Sequence, residues 1–337
     1  MMLVLPSTEY LIYSIAYGSS LALLCMGLTL TYMVTKVPNF AHATLAITGS
    51  AVTLLLIDRI YHVFYLEGGA SSLGKTPYYT LYLIAPISAF LIVGLVALIQ
   101  YLLVLRPLSS RGVGVIGLMI ATLAFDIILV NILTLTLYLM PTAYFGKLIG
   151  PSLKGFDVSV SALGISTSFS RLALPVIAVT LAIALHLFLT RTKFGVSLRA
   201  AIENPDLARV LGINVDLAYM TSWFIAGGLA GASGALYIFM VENFKPAVAS
   251  LVIVSVFAGS ILGGLGSIYG ALLGGFLVGV TETFVVVLIQ NILAAYGLPI
   301  TLTHYQRLFS LLIVIVMLLL APQGLTGLIS RVGRGGR

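Results

Sequence analysis

Nine apolar runs, each close to the thickness of a lipid bilayer, constrain this chain more than any other feature. They are Tyr10–Val34, Phe40–Ile57, Thr80–Leu105, Val113–Met140, Leu172–Thr190, Leu217–Met240, Ser250–Leu265, Ile268–Asn291 and Leu308–Ala321. A helix needs about 20 predominantly apolar residues to cross the hydrocarbon layer. Runs of this kind predict an all-α, polytopic membrane bundle of about 8–10 spans, some short or broken. The second and seventh runs are short, so a re-entrant segment at either one changes the count and the orientation. Tyr10–Val34 is too long for a signal-peptide core and lacks a basic leader, so it reads as a retained span.

Composition agrees. Hydrophobic residues make up 60% of the chain and mean hydropathy is +1.14, against roughly 45–50% apolar in soluble domains. No stretch is long or polar enough for a soluble domain, so residues 1–337 form one integral membrane domain. The single cysteine, Cys25, lies inside a span, which excludes a disulfide framework or a zinc-type cluster.

Lys and Arg placement sets the expected orientation. With nine spans, one side receives ten basic residues in short loops: Lys36, Arg106, Arg111, four between Arg191 and Asp216, and Arg331, Arg334 and Arg337. The other side receives seven over longer connections: Arg59, Lys75, Lys147, Lys154, Arg171, Lys245 and Arg307. The denser side is expected to be cytoplasmic, with the N-terminus outside and the C-terminus inside. The net charge of +7 then reads as attraction to membrane lipid. Nucleic acid is not an expected partner, because no basic helix or aromatic-interleaved patch lies in water.

Charged residues are 8% of the chain, yet the connection Arg191–Asp216 alone carries Arg191, Lys193, Arg199, Glu203, Asp206, Arg209 and Asp216. Within it, Asn204 is a good helix N-cap, Pro205 suits the first helical position and Asp206 complements the helix dipole. Leu207, Val210 and Leu211 follow at i, i+3 and i+4, one apolar stripe on a short helix closed by Gly212. So short a helix is marginal alone, and its stability is expected to come from a docked partner.

Gly69-Ala-Ser-Ser-Leu-Gly74-Lys75-Thr76 matches the phosphate-binding pattern G-x-x-x-x-G-K-[ST]. Its chemistry needs a buried strand before it and a helix starting at the lysine. Here Pro77 follows at once and an apolar run begins, so coincidence in a Gly/Ser loop is the stronger reading. Twelve glycines lie between Gly227 and Gly279, repeatedly at small-x-x-x-small spacing, as in Gly227/Gly231 and Gly266/Gly270/Gly274. Such faces let helix backbones approach closely in lipid. Close packing within the subunit is the first reading, and a conduit or subunit interface the second.

Ionisable groups inside spans carry the remaining candidates. Asp126 and Glu282 sit near the middle of their runs, where a carboxylate costs about 2.5–3.5 kcal/mol and faces the bundle interior. Each can line a path or couple to an ion, or can bond structurally to Thr122, Asn131, Thr281 or another span; the structural reading weighs more. Pro38 breaks the helix before His42, freeing backbone groups that must be satisfied within protein or at a water-lined cavity. Asn39 and His42 are therefore further path candidates, although a lone histidine is more often a structural hydrogen-bonder. His186 and His304 have no metal-ligand spacing, and no nucleophile, metal or acid–base constellation points to an enzyme or a cofactor.

Four stretches together resemble the permease subunits of branched-chain amino acid ABC importers. They are Gly27–Tyr32 with Val37–His42; Arg106-Pro-Leu-Ser-Ser-Arg111; Arg191–Asp216; and Leu262–Gly275 with Ala321-Pro-Gln-Gly-Leu325. Ala43 and Thr44 depart from the family's usual Gly followed by an acidic residue, and Tyr269 replaces a common proline. The connections 58–79 and 141–171 are also long. The resemblance implies a multi-pass subunit of the cytoplasmic (inner) membrane, working by alternating access with a second permease subunit, a homologue or a copy of itself. Two cytoplasmic ABC ATPase subunits and an external substrate-binding protein complete the implied assembly. Residues 191–216 would be the ATPase-coupling loop, through Gly195, Arg199, Glu203, Asn204, Pro205, Leu207, Arg209, Val210, Leu211 and Gly212. Urea, short amides or sugars are alternative cargoes. An ion-coupled secondary transporter using Asp126 and Glu282 is the rival class, but no convincing internal repeat supports it.

Overall fold

The computed structural model describes residues 6–61, 76–139, 157–162, 165–241, 244–298, 300–320 and 324–327. Gly69–Lys75, the basic residues Arg331 to Arg337 and the His304 side chain lie outside them. The described chain is a helical membrane bundle. Its elements are α1 (Thr8–Thr35), α2 (His42–Tyr61), α3 (Thr76–Gln100), a π-turn at Tyr101–Leu105, α4 (Arg106–Ser110) and α5 (Val115–Leu139). A hairpin of β1 (Ser159–Ala162) and β2 (Ile165–Ser168) precedes α6 (Phe169–Arg191), α7 (Lys193–Glu203), α8 (Pro205–Val210) and α9 (Val215–Tyr237). Then come α10 (Ala249–Gly263), α11 (Ile268–Val280), a π-turn at Thr281–Val285, α12 (Val286–Ala295) and α13 (Gln306–Leu320).

Seven of the described helical segments are long and apolar enough to cross a membrane. The helices α2 and α9, of 20 and 23 residues, are also of spanning length but carry more Gly, Ser, Thr and charge. Both lie mostly buried inside the bundle, so their composition answers to neighbouring helices rather than to lipid. The peripheral helices α5 and α13 instead expose rows of Ile and Leu, such as Ile116, Ile120, Ile127, Leu312 and Leu319.

Small residues set the interior. The Cα of Gly231 faces α3 so closely that an added Cβ would lie 2.5 Å from the Ala89 carbonyl oxygen. A methyl at Gly234 would overlap the Ala46 carbonyl of α2, and one at Gly263 would overlap Gly270 across the α10–α11 turn. An added Cβ at Gly279 would meet the Cα of Gly18 in α1 at 2.5 Å. Ten of the twelve glycines expected to pack closely meet a neighbour in this way; Gly264 instead has φ 103°, and Gly266 faces open space. At these contacts the bare backbone lets helices pack where no hydrophobic drive from water operates.

The break after α1 is as the prolyl residue requires. Lys36 adopts φ 57°, its N–H closing on the Tyr32 carbonyl at 2.8 Å, and α2 begins only at His42 rather than at Phe40. Since His42 packs against Gly27, α2 starts about 12 Å above the end of α1 at a rise of 1.5 Å per residue. The long connection after α5 contains the hairpin, with Ser159 opposite Ser168 and Ala162 opposite Ile165. Asp157 fixes it by accepting from the Tyr82 hydroxyl at 2.6 Å and from the Ser170 backbone N–H at 3.2 Å at the start of α6.

Candidate functional site

The polar connection 191–216 folds as two helices, where the residue pattern had predicted one. Thr192 caps α7 by accepting from Gly195 N–H at 2.9 Å, a side-chain cap that competes well in a sequence read for Asn204 alone. Gly195 is needed there because a side chain would overlap the Phe188 carbonyl at the end of α6. Arg199 and Glu203 are exposed on α7. Asn204 caps α8 through Leu207 N–H at 3.0 Å, Pro205 occupies its first position, and Gly212 leaves the helix with φ 79°. Ala208 is the buried residue of α8, while Leu207, Val210 and Leu211 are 54%, 84% and 69% exposed. Arg209 pairs with Asp206 at 3.0 Å, and Arg106 of α4 pairs with Asp216 of α9 at 2.7 Å. Arg106, Arg209 and Asp216 line a cavity of 490 Å³ between this end of the bundle and α8.

A second constellation surrounds the broken segment. The Asn39 and Gln100 amides pair reciprocally, at 2.9 and 3.3 Å, and Asn39 also accepts from Ala41 N–H. Thr122 of α5 accepts from Phe40 N–H at 3.3 Å, so the backbone groups freed by Pro38 find partners within protein. Asp126, one turn further along α5, accepts from the Thr44 hydroxyl of α2. The expected partners Thr122 and Asn131 are engaged elsewhere, Asn131 donating to the Ile127 carbonyl at 2.7 Å. His42 is fully buried, and neither ring nitrogen has a hydrogen-bond partner among the described residues. Tyr269, which stands in place of a proline, meets His186 at 2.7 Å across α6 and α11.

Glu282 lies apart from these residues, in the π-turn between α11 and α12. Its carboxylate accepts from Arg307 at 2.6 Å, from the Tyr17 hydroxyl at 2.9 Å, and from the Ser255 and Ser310 hydroxyls. Thr281, an expected partner, bonds to the Leu277 carbonyl instead. The sequence places Arg307 in a connection between spans; it is instead the second residue of α13 and turns inward to this carboxylate. No sequence signal linked the two, because their helices meet only in the folded bundle. A cavity of 670 Å³ opens beside them at the hairpin end, lined also by Glu9, Tyr13 and Arg171. No group of three or more metal-ligating side chains occurs among the described residues.

Comparison with known proteins follows the same lines. Residues 10–321 match the family model described as the permease component of branched-chain amino acid transport systems. The chain is 37% identical over 317 residues to the probable branched-chain amino acid transport permease protein LivH of Methanocaldococcus jannaschii, covering 93% of this chain and 90% of the relative. It is 26% identical over 328 residues to the high-affinity branched-chain amino acid transport system permease protein BraD of Pseudomonas aeruginosa, covering 95% of each. Against the LivH protein of Escherichia coli K12, identity is 24% over 319 residues and 93% of each chain. No solved structure gives a significant match.

Proposed function

The chain belongs to the family of branched-chain amino acid transport permeases, and from that membership we propose that it is the membrane subunit of an ATP-driven importer of branched-chain or other hydrophobic amino acids. The observation that carries the proposal is α8: a short helix, capped at both ends, whose apolar stripe Leu207, Val210 and Leu211 projects away from the bundle. A cytoplasmic ATPase would receive this stripe in a groove, with Glu203 and Arg209 as flanking polar contacts. Two such ATPases, a second permease and an external binding protein complete the assembly. The subunit sits in the cytoplasmic membrane with its N-terminus outside and the α7–α8 end inside.

Thr192 and Gly195 hold α7 to the end of α6, and Asn204 joins α7 to α8 as the cap of α8. Ile213 N–H bonds back to the Ala208 carbonyl just before Asn214 caps α9, so a displacement of α8 would be passed to both spans as a lever. Differential contacts with the ATPase dimer in its two states then suffice to shift the bundle between outward- and inward-open forms. The path passes Asn39, His42, Asp126 and Glu282. Pairing with Arg307 favours a fixed role for Glu282 over ion coupling.

The test is Leu207→Asp combined with Leu211→Asp, purified in mild detergent. The double variant is expected to reach the membrane but to lose ATPase co-purification and uptake. Uptake at the parent's rate overturns the docking role and leaves α8 lying on lipid headgroups.

A further inference from the structure

The cavity at the hairpin end has a chemistry that the coupling helix does not explain. Its volume of 670 Å³ falls within the roughly 300–1,000 Å³ of small-molecule sites. Arg171 and Glu9 form an ion pair at 2.7 Å on its wall, and the two are held very unequally. The Arg171 side chain is 15% exposed and stacks its guanidinium 5.7 Å from the Tyr13 ring, whereas Glu9 is 58% exposed in the first turn of α1. One charge is therefore fixed and the other is free to swing.

We propose that this cavity binds a zwitterionic α-amino acid with an apolar side chain, Arg171 holding its carboxylate and Glu9 its ammonium. A zwitterion carries the same two charges side by side as the ion pair it would open, so both protein charges are satisfied again after exchange. A solute with only an ammonium draws Glu9 away and leaves the partly buried Arg171 without a partner, which is costly, and a solute with only a carboxylate forgoes the charge-assisted bond to Glu9. Tyr10, Met240, Val241 and Val287 supply apolar wall for the solute's side chain. Glu282 at the floor is already saturated by Arg307 and three hydroxyls, so a basic side chain gains no carboxylate there. The site thus selects against additional charge.

This rests on the importer reading only for its placement on the outward face, and the experiment separates the two. Equilibrium binding of radiolabelled leucine is measured on the purified complex in nanodiscs, without ATP and without the binding protein. Saturable binding is expected in the parent. Arg171→Gln should weaken it roughly ten- to a hundredfold, the loss expected for a charge-assisted hydrogen bond, and Arg171→Lys should restore part of it. Competitors lacking one charge, 4-methylpentanoate and 3-methylbutylamine, should each displace leucine at least roughly tenfold less well on the same grounds. If Arg171→Gln does not fold, Glu9→Gln, at an exposed position, carries the test with the same expected direction. Parent-like binding in the variants, equal competition by the one-charge analogues, or no saturable binding in the parent overturns the site. ATP-driven uptake is measured in parallel: a parent that binds leucine but does not transport it overturns the importer reading alone.

Discussion

Arg307 donates a 2.6 Å bond to the Glu282 carboxylate, joining the start of α13 to a π-turn in the span formed by α11 and α12. The Glu282 side chain has no exposed surface, so the pair is interior to the bundle. Removing either partner leaves a buried charge uncompensated, at about 3–5 kcal/mol. Arg307→Ala and Glu282→Ala should therefore each lower the thermal unfolding midpoint strongly in detergent. Replacing both, as Arg307→Met with Glu282→Gln, should recover much of the loss, since a buried pair is often no better than an apolar replacement.

The Thr44–Asp126 contact yields a different pattern. Thr44→Val leaves the carboxylate without its donor and should cost about 1–3 kcal/mol, whereas Thr44→Val with Asp126→Leu should be close to neutral for stability. Uptake by that stable double variant then reports on the path: its loss is expected if Asp126 faces the solute.

Close helix contacts predict contrasting glycine substitutions. Gly231→Leu and Gly270→Leu drive a side chain into a neighbouring backbone and should cost on the order of 1–3 kcal/mol or more through overpacking. Gly266→Leu, at a position with nothing within 4 Å, should melt like the parent. Thermal unfolding of the three purified variants makes the comparison.

Orientation is tested by labelling. Cys25 is buried, so a cysteine introduced as Glu203→Cys at the exposed end of α7 is the reactive thiol. A membrane-impermeant reagent should modify it in inside-out vesicles and not in intact cells.

The helix ends were written locally. Asn204, Pro205 and Gly212 sit where capping chemistry puts them, because a cap bonds to N–H groups two or three residues away. The cap on α7 is equally local, Thr192 to Gly195, but Thr192 lacks the flanking proline and acidic residue that mark Asn204. Asp126 and Glu282 were legible as costly groups in need of partners, yet their partners were not. Thr44 lies 82 residues from Asp126 and Arg307 lies 25 from Glu282, on separate helices.

The sequence by itself determined that the chain is a helical membrane bundle, where its spans run, and where the exposed helix α8 begins and stops. Those properties depend on transfer to lipid and on hydrogen bonds within a few residues, both of which sum along a single segment. Only the tertiary structure decided that α2 and α9 are interior, that Arg307 turns inward to Glu282, and that Glu9 and Arg171 meet on the wall of a cavity. Those outcomes depend on which helix faces which, a choice made by backbone contact at glycines such as Gly231 and Gly234. No residue's hydropathy or capping preference carries that information, because it exists only once several helices share one packed interior.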